Sequence, residues 1–234
     1  VVSVDPSGER SFAFYRTSGA DTQLTQQEAV QALNAYEERP VFLHFGSVSL
    51  TAEPARSATL GAAQAARDMG ILLSYDPNYR ANLWPDQETA VERMKEPLSL
   101  CHVLKVAEEE LELLTGSQDL EAGTGLIYEK YGTPLIVVTL GEGGSFYRLG
   151  NHIGQVAAQT VQVADTNGAG DTFLGALLSR LVLAGGLDGL TPEQLEGELD
   201  FANRAAALTC TRPGAIPAMP VLDEVLTGKG GAVQ

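Results

Sequence analysis

Basic side chains are scarce in this sequence: Lys+Arg number 15 against 30 Asp+Glu, a formal charge of -15 over 234 residues. Non-specific nucleic-acid binding needs a basic face, so that class is excluded. A small anionic ligand is not excluded, because a local site can be positive on an acidic protein. Aromatics are also few, at 6% with a single Trp. Trp84 and the tyrosines form no spaced platform on which single-stranded nucleic acid could stack. No apolar run reaches membrane-spanning length, so no membrane partner is expected. The two cysteines, Cys101 and Cys210, lie far apart. Two reduced thiols in a cytoplasmic protein is the expectation, with a disulfide as the alternative. No Gly-Lys-Ser/Thr P-loop occurs, and after Gly168-Ala169-Gly170 the next glycine, Gly175, comes too late for a dinucleotide fingerprint.

What is present is a regular alternation of short apolar runs and amphipathic segments, punctuated by Gly and Pro. Val1–Val4 and Ser11–Arg16, separated by the turn signal Asp5-Pro-Ser-Gly8, read as a hairpin. The chain opens without Met in what reads as mid-strand, which predicts a preceding N-terminal piece. Helices are predicted over Gln26–Glu38, with Ala29, Val30, Leu33 and Tyr36 on one side, and over the Ala-rich Glu53–Met69, capped by Gly70. Further helices are predicted over Glu88–Lys95, Glu108–Thr115, Leu120–Tyr131, from Gly170 through Leu183, and over Pro192–Thr209. Strands are predicted at Val41–Phe45, Ile71–Tyr75, Val103–Val106 and Leu135–Thr139, then a meander of Ser145–Leu149 and Gly154–Val156. The pattern implies an α/β fold with a mostly parallel sheet between helical layers. One domain over residues 1–228 is expected, with a hairpin over about residues 1–20 and a loose Gly-rich tail over 229–234.

The stretch Asp165-Thr-Asn-Gly-Ala-Gly-Asp171 leads into an amphipathic run. Small residues just before a helix start let a bulky anion approach bare N–H groups at the positive end of the dipole. Asp171 in the first turn would then be a base among anion-binding donors. That combination suits transfer of a phosphoryl group to an alcohol, with the amides of Gly168, Ala169 and Gly170 holding the developing charge.

Other polar or Gly-rich clusters follow strands: Gly46-Ser47, Asp76-Pro-Asn-Tyr-Arg80, Glu108–Glu110, and Thr139-Leu-Gly-Glu-Gly-Gly144. At the carboxyl ends of parallel strands these would converge on one cleft. Thr139, Gly141 and Gly144 read either as a turn into the meander or as a nucleotide-phosphate site. Asp76, Asn78 and Arg80 supply acceptor, amide and fork-shaped donor, a set suited to hydroxyls and phosphate, while a solvated Arg80 is the alternative. Glu108–Glu110 reads either as an acidic helix start or as a group positioning Mg²⁺ through water. His44 reads as a core histidine satisfied by backbone, without a role.

Taken together, these residues resemble the ribokinase-like (PfkB) carbohydrate kinase family, its fructokinase branch in particular. The resemblance rests on Asp165–Asp171, Leu73–Trp84, Leu104–Leu111, Val138–Ser145, Arg212–Pro220, His44–Leu50 and Phe14-Tyr-Arg16, and runs from about residue 1 to 222. It implies a three-layer ribokinase-like fold with the hairpin on the lid or substrate side. The implied activity is ATP-dependent phosphorylation of a sugar's terminal hydroxyl, giving fructose 6-phosphate, with Mg²⁺ and often K⁺. Alternatives are 2-keto-3-deoxygluconate kinase and a non-catalytic nucleotide- or sugar-binding module. On matching positions the resemblance makes Asp171 the base and Gly168 to Gly170 the anion hole. It places Thr139, Gly141 and Gly144 on the ATP phosphates, Asn203 near adenine, Arg80 on the phosphate or sugar, and Arg16 on the substrate. Glu110 would organise Mg²⁺ through water, and Asp165 is a candidate K⁺ ligand. Ala107 stands where ribokinases have the Asn of the metal-organising motif. Members carry further N-terminal chain with a Gly-Gly sugar turn, an acidic sugar ligand and part of the lid, none of it in these residues. If that piece is absent from the molecule, no useful sugar affinity and an exposed sheet edge prone to association are expected; if the sequence is a portion of a longer chain, the parent enzyme is expected to be active. A homodimer is a separate expectation.

Overall fold

The structure, a computed structural model, describes residues 2–4, 10–12 and 19–228. Strand β1 (Val2–Val4) pairs antiparallel with β2 (Arg10–Phe12), as the hairpin reading requires. The expected turn between them, the rest of the second strand through Arg16, and the tail over 229–234 lie outside the described residues.

The main sheet has six strands: β3 (Phe42–Gly46), β4 (Leu72–Asp76), β5 (Val103–Ala107), β6 (Leu135–Thr139), β7 (Ser145–Leu149) and β8 (His152–Val156). They lie side by side in chain order. β3 to β6 run parallel, and β7 and β8 add an antiparallel meander. Leu135, Ile136, Val137 and Val138 are all fully buried. A strand covered on both faces needs such a continuous β-branched and aliphatic run.

Between the parallel strands come α2 (Ala55–Asp68), α3 (Gln87–Lys95), α4 (Glu108–Thr115) and α5 (Leu120–Tyr131). Each right-handed crossover steps in the same direction, so these helices share one face. There Ala66, Met94, Leu111 and Ile127 meet Leu73, Tyr75, Leu104, Val106, Ile136 and Val138. The alternate residues of the same strands point to the opposite face. On it Val103, Leu135 and Val137 pack against Phe173, Leu177 and Leu181 of α6 (Ala169–Leu183) and Leu195 and Leu199 of α7 (Pro192–Cys210). The result is the expected three-layer α/β/α architecture.

Local signals explain most boundaries. Asp86 and Asp119 accept from Thr89 N and Ala122 N to start α3 and α5. Thr191 and Gln194 form a capping box, with Pro192 at the first position of α7. Gly116 and Gly132 end α4 and α5 in the left-handed conformation. Three expectations are corrected. The first helix, α1 (Gln26–Asn34), stops four residues before Glu38, and Tyr36 lies beyond it, exposed. The helix expected from Gly170 begins one residue earlier, at Ala169, because Gly168 itself is the cap. A short helix, α8 (Leu222–Thr227), was not anticipated; it seats Val225 against Phe201 and Leu208 of α7.

Candidate active site

The carboxyl end of β4 and the middle of β5 deliver two charged side chains to the α6 face. Asp76 and Lys105 are both buried, and Lys105 Nζ donates to Asp76 Oδ2 at 3.0 Å. Burial raises the Asp76 carboxyl above its ordinary range, opposed by the ammonium of Lys105 and by the Asn78 amide. Asp76 Oδ1 accepts from Asn78 N at 3.1 Å, and Asn78 adopts a left-handed φ of 47° that asparagine tolerates. Asp76 thus shapes the loop that carries Arg80.

Glu110 braces the same loop from α4. Its Oε1 accepts from Tyr79 N at 2.6 Å and its Oε2 from Ala107 N at 2.8 Å. Ala107 supplies no capping side chain, so Glu110 alone closes the start of α4. Burial is the main cause that raises the Glu110 carboxyl, with the negative charge of Asp76 next.

The third component is the loop before α6. Ala164 N and Asp165 N donate to Cys210 O at 2.8 and 3.2 Å, tying it to the end of α7. Asp165 accepts from Asn167 N at 2.6 Å and from Gly214 N at 2.8 Å, clamping the turn from both sides. Gly168 has φ 79°, and a Cβ there would lie 3.2 Å from Ala215, so only glycine fits. Of the three amides expected to form an anion hole, that of Ala169 donates to Thr166 O at 3.3 Å. Its N–H is therefore spent within the turn.

These parts border a cavity of about 460 Å³ lined by Asp76, Asn78, Arg80, Lys105, Asp165, Gly168 and Asp171. Asp171 itself is solvent-exposed. A second cavity, of about 650 Å³, brings together Thr139, Gly141, Gly144 and Asn203, with Phe173 and Ala206 as its apolar wall. Asn203 Nδ2 donates to Ser145 Oγ at 3.2 Å and Val156 O at 3.1 Å, so its amide also ties α7 to the meander. Gly170 lines both cavities, which meet at the tip of α6. Three of the four strand-end clusters line adjoining cavities, Glu109 and Glu110 through a further one shared with Asn78, Arg80 and Lys105, whereas Gly46-Ser47 lines none of the three.

Arg16 lies outside the described residues. His44 is corrected: it is exposed on the edge strand β3, and its Nδ1 lies 3.2 Å from Ser74 Oγ rather than against backbone. Both cysteines are free thiols, Cys101 buried and Cys210 half-buried beside the larger cavity. Among the described residues no helix is long and apolar enough to cross a membrane. Sequence reasoning missed Lys105. The available signal was a lysine inside an otherwise apolar strand, where a charge is tolerated only with a partner.

Residues 1–222 match the profile of the pfkB family carbohydrate kinases. The chain is 42% identical over 226 residues to a protein named Fructokinase-1 from Oryza sativa subsp. japonica, covering 96% of this chain and 68% of the rice protein. A Vibrio cholerae O395 fructokinase crystallised with fructose, ADP and calcium superposes with a TM-score of 0.85 at 30% identity, over 97% of this chain and 71% of that one. A Xylella fastidiosa fructokinase with bound ATP gives the same TM-score at 33% identity, with the same coverage. On this match and these likenesses, the chain belongs to the pfkB family of carbohydrate kinases.

Proposed function

We propose that this protein transfers the terminal phosphoryl group of ATP to a hydroxyl of fructose, giving fructose 6-phosphate and ADP. The observation that carries the reading is the tip of α6. There Asp171 lines one cavity, while Gly170 lines both that cavity and the one holding Thr139, Gly141 and Gly144. A phosphoryl donor in the larger cavity and an acceptor hydroxyl beside Asp171 would face each other across this tip.

Asp171 accepts the hydroxyl proton as the sugar oxygen bonds to phosphorus and the bond from phosphorus to the ADP oxygen breaks. The positive end of α6 and the amides of Gly168 and Gly170 favour the charge on the moving group. Arg80 orients the phosphate or sugar, and Asn203 and the apolar wall hold the base. Among the described residues no group of three or more His, Cys, Asp or Glu forms a metal cage. That fits Mg²⁺, which keeps much of its water and binds through substrate phosphates with one or two carboxylates. Glu110, at the edge of the cleft, would reach it through water. When bound, the ion neutralises phosphate charge. Asp165 is the proposed K⁺-side carboxylate, and the thiol state of both cysteines suits a cytoplasmic enzyme.

The test is ADP release by the full chain with fructose, 2-keto-3-deoxygluconate and ribose. Turnover with fructose at the highest kcat/KM is expected. A preference for 2-keto-3-deoxygluconate would overturn the substrate, and turnover of none would favour a binding module. Asp171→Asn should lower kcat by about 10²–10⁴ with ATP binding retained. Near-normal turnover in that variant would mean that another group takes the proton.

A further inference from the structure

Lys105 is a charged side chain at the centre of the cleft, only 7% exposed, on a strand otherwise made of Val, Leu and Ala. It lines the cavity of Asp171 and also an adjoining one beside Asn78, Arg80 and Glu110. Its ammonium lies 3.2 Å from the point where a Cβ on Gly170 would sit. The lysine therefore reaches the first turn of α6, and a side chain at Gly170 would press on its ammonium. A cation there faces the positive end of the helix dipole, an unfavourable place unless anions are near. Asp76 supplies one. The hydrogen bond to Asp76 uses one of three N–H donors, and among the described residues no other protein acceptor takes the remaining two.

Resting on the kinase reading above, we infer that Lys105 is a catalytic residue that binds the transferred phosphoryl group, keeping Asp76 as its partner and giving its remaining donors to phosphate oxygens. A buried ammonium held by a buried carboxylate is preorganised: it cannot swing into solvent, and it needs no rearrangement when negative charge arrives. In a protein with few cations, this places one within the first turn of the helix that carries the base. The alternative is that Lys105 only balances the charge of Asp76.

Three variants separate these roles: Lys105→Met, Asp76→Asn, and the two combined. Wild-type turnover of fructose is established first, since its absence would refute the kinase reading independently of Lys105. Loss of one preorganised charge at a developing oxyanion should lower kcat by about 10²–10³ in Lys105→Met. The fructose KM should stay within about threefold, and the inhibition constant for fructose 6-phosphate should rise about tenfold or more, because only the phosphorylated sugar meets the lysine. If Lys105→Met fails to fold with Asp76 left unpaired, the combined variant carries the test, compared with Asp76→Asn alone. A further fall in kcat and in fructose 6-phosphate affinity supports phosphoryl binding. Equal kcat and equal fructose 6-phosphate affinity in those two variants would overturn it and leave Lys105 as a counter-charge only.

Discussion

Replacing Glu110 tests whether the cleft is held by the contacts seen in the structure. Its carboxylate accepts two backbone N–H groups, from Tyr79 at 2.6 Å and Ala107 at 2.8 Å. Hydrogen bonds to a charged acceptor contribute about 1.5–3 kcal/mol each. Glu110 is half-buried, so water recovers part of the loss, and the cost of holding the carboxylate near Asp76 is removed with it. Glu110→Ala should therefore destabilise by about 2 kcal/mol, which for a chain of this size lowers Tm by about 4–8 °C. The Asp76–Arg80 loop loses its brace at the same time, so kcat should fall about 10-fold to 100-fold through misplacement of Arg80. Thermal unfolding and initial rates measure both. A Tm within about 1 °C of wild type would show that the two hydrogen bonds carry no weight.

Glu110→Gln adds a pH readout with a definite sign. The carboxyl is raised from an ordinary value of 4.5, chiefly by burial and next by Asp76. A raised folded value means that the fold favours the proton more than the unfolded chain does. The group's contribution to stability is then fully present below about pH 4.5 and is lost as pH rises through the folded value. Any deficit of the glutamine variant should be largest in mild acid and shrink toward neutrality, read as the difference between paired melting curves. A deficit that grows with pH contradicts the burial argument.

Two further outcomes follow from the same geometry. Gly168→Ala forces a side chain onto a φ of 79° with Ala215 only 3.2 Å away; we expect a loss of about 1–3 kcal/mol by thermal unfolding, with a drop in kcat as the α6 tip shifts. Cys101 is buried, its thiol pushed up to about 12, while Cys210 is half-buried beside the larger cavity, so a thiol reagent should label Cys210 first in the native protein. MgATP at about ten times its Kd should slow that labelling about tenfold, and unchanged labelling would place the nucleotide elsewhere.

The strands were legible because burial on two faces leaves little choice of residue. Leu135–Thr139 and Ser145–Leu149 fall on the expected boundaries. So does Glu108–Thr115, because Gly116 stops it. The end of α1 was not legible: Tyr36 keeps helical spacing, yet no core lies beneath it, and propensity alone does not sustain a last turn. In the site, single residues could be named from local chemistry, but shared partners could not. Nothing in Glu110 announces that Tyr79 N lies within 2.6 Å, because that bond joins residues 31 apart. Lys105 was overlooked for a related reason. Its meaning depends on Asp76 one strand away and on a glycine in a helix much later in the chain.

Why the cleft forms at the tip of α6 follows from the order of the strands. In a doubly wound sheet, ligands gather where the strand order reverses. Among the described residues β3 to β6 advance in one direction, and no such reversal falls between them. The same one-way winding puts α2 to α5 on a single face and leaves the other for α6 and α7, which arrive after the meander. The N-terminus of α6 then meets Asp76 at the carboxyl end of β4 and Lys105 from the middle of β5. On its other side the helix borders the turn between β6 and β7, where Thr139 and Gly144 stand. One helix end therefore divides the open face into two cavities and belongs to both. The left-handed glycine at 168, which caps that helix end, is thus the local expression of a feature set by the topology of the whole sheet.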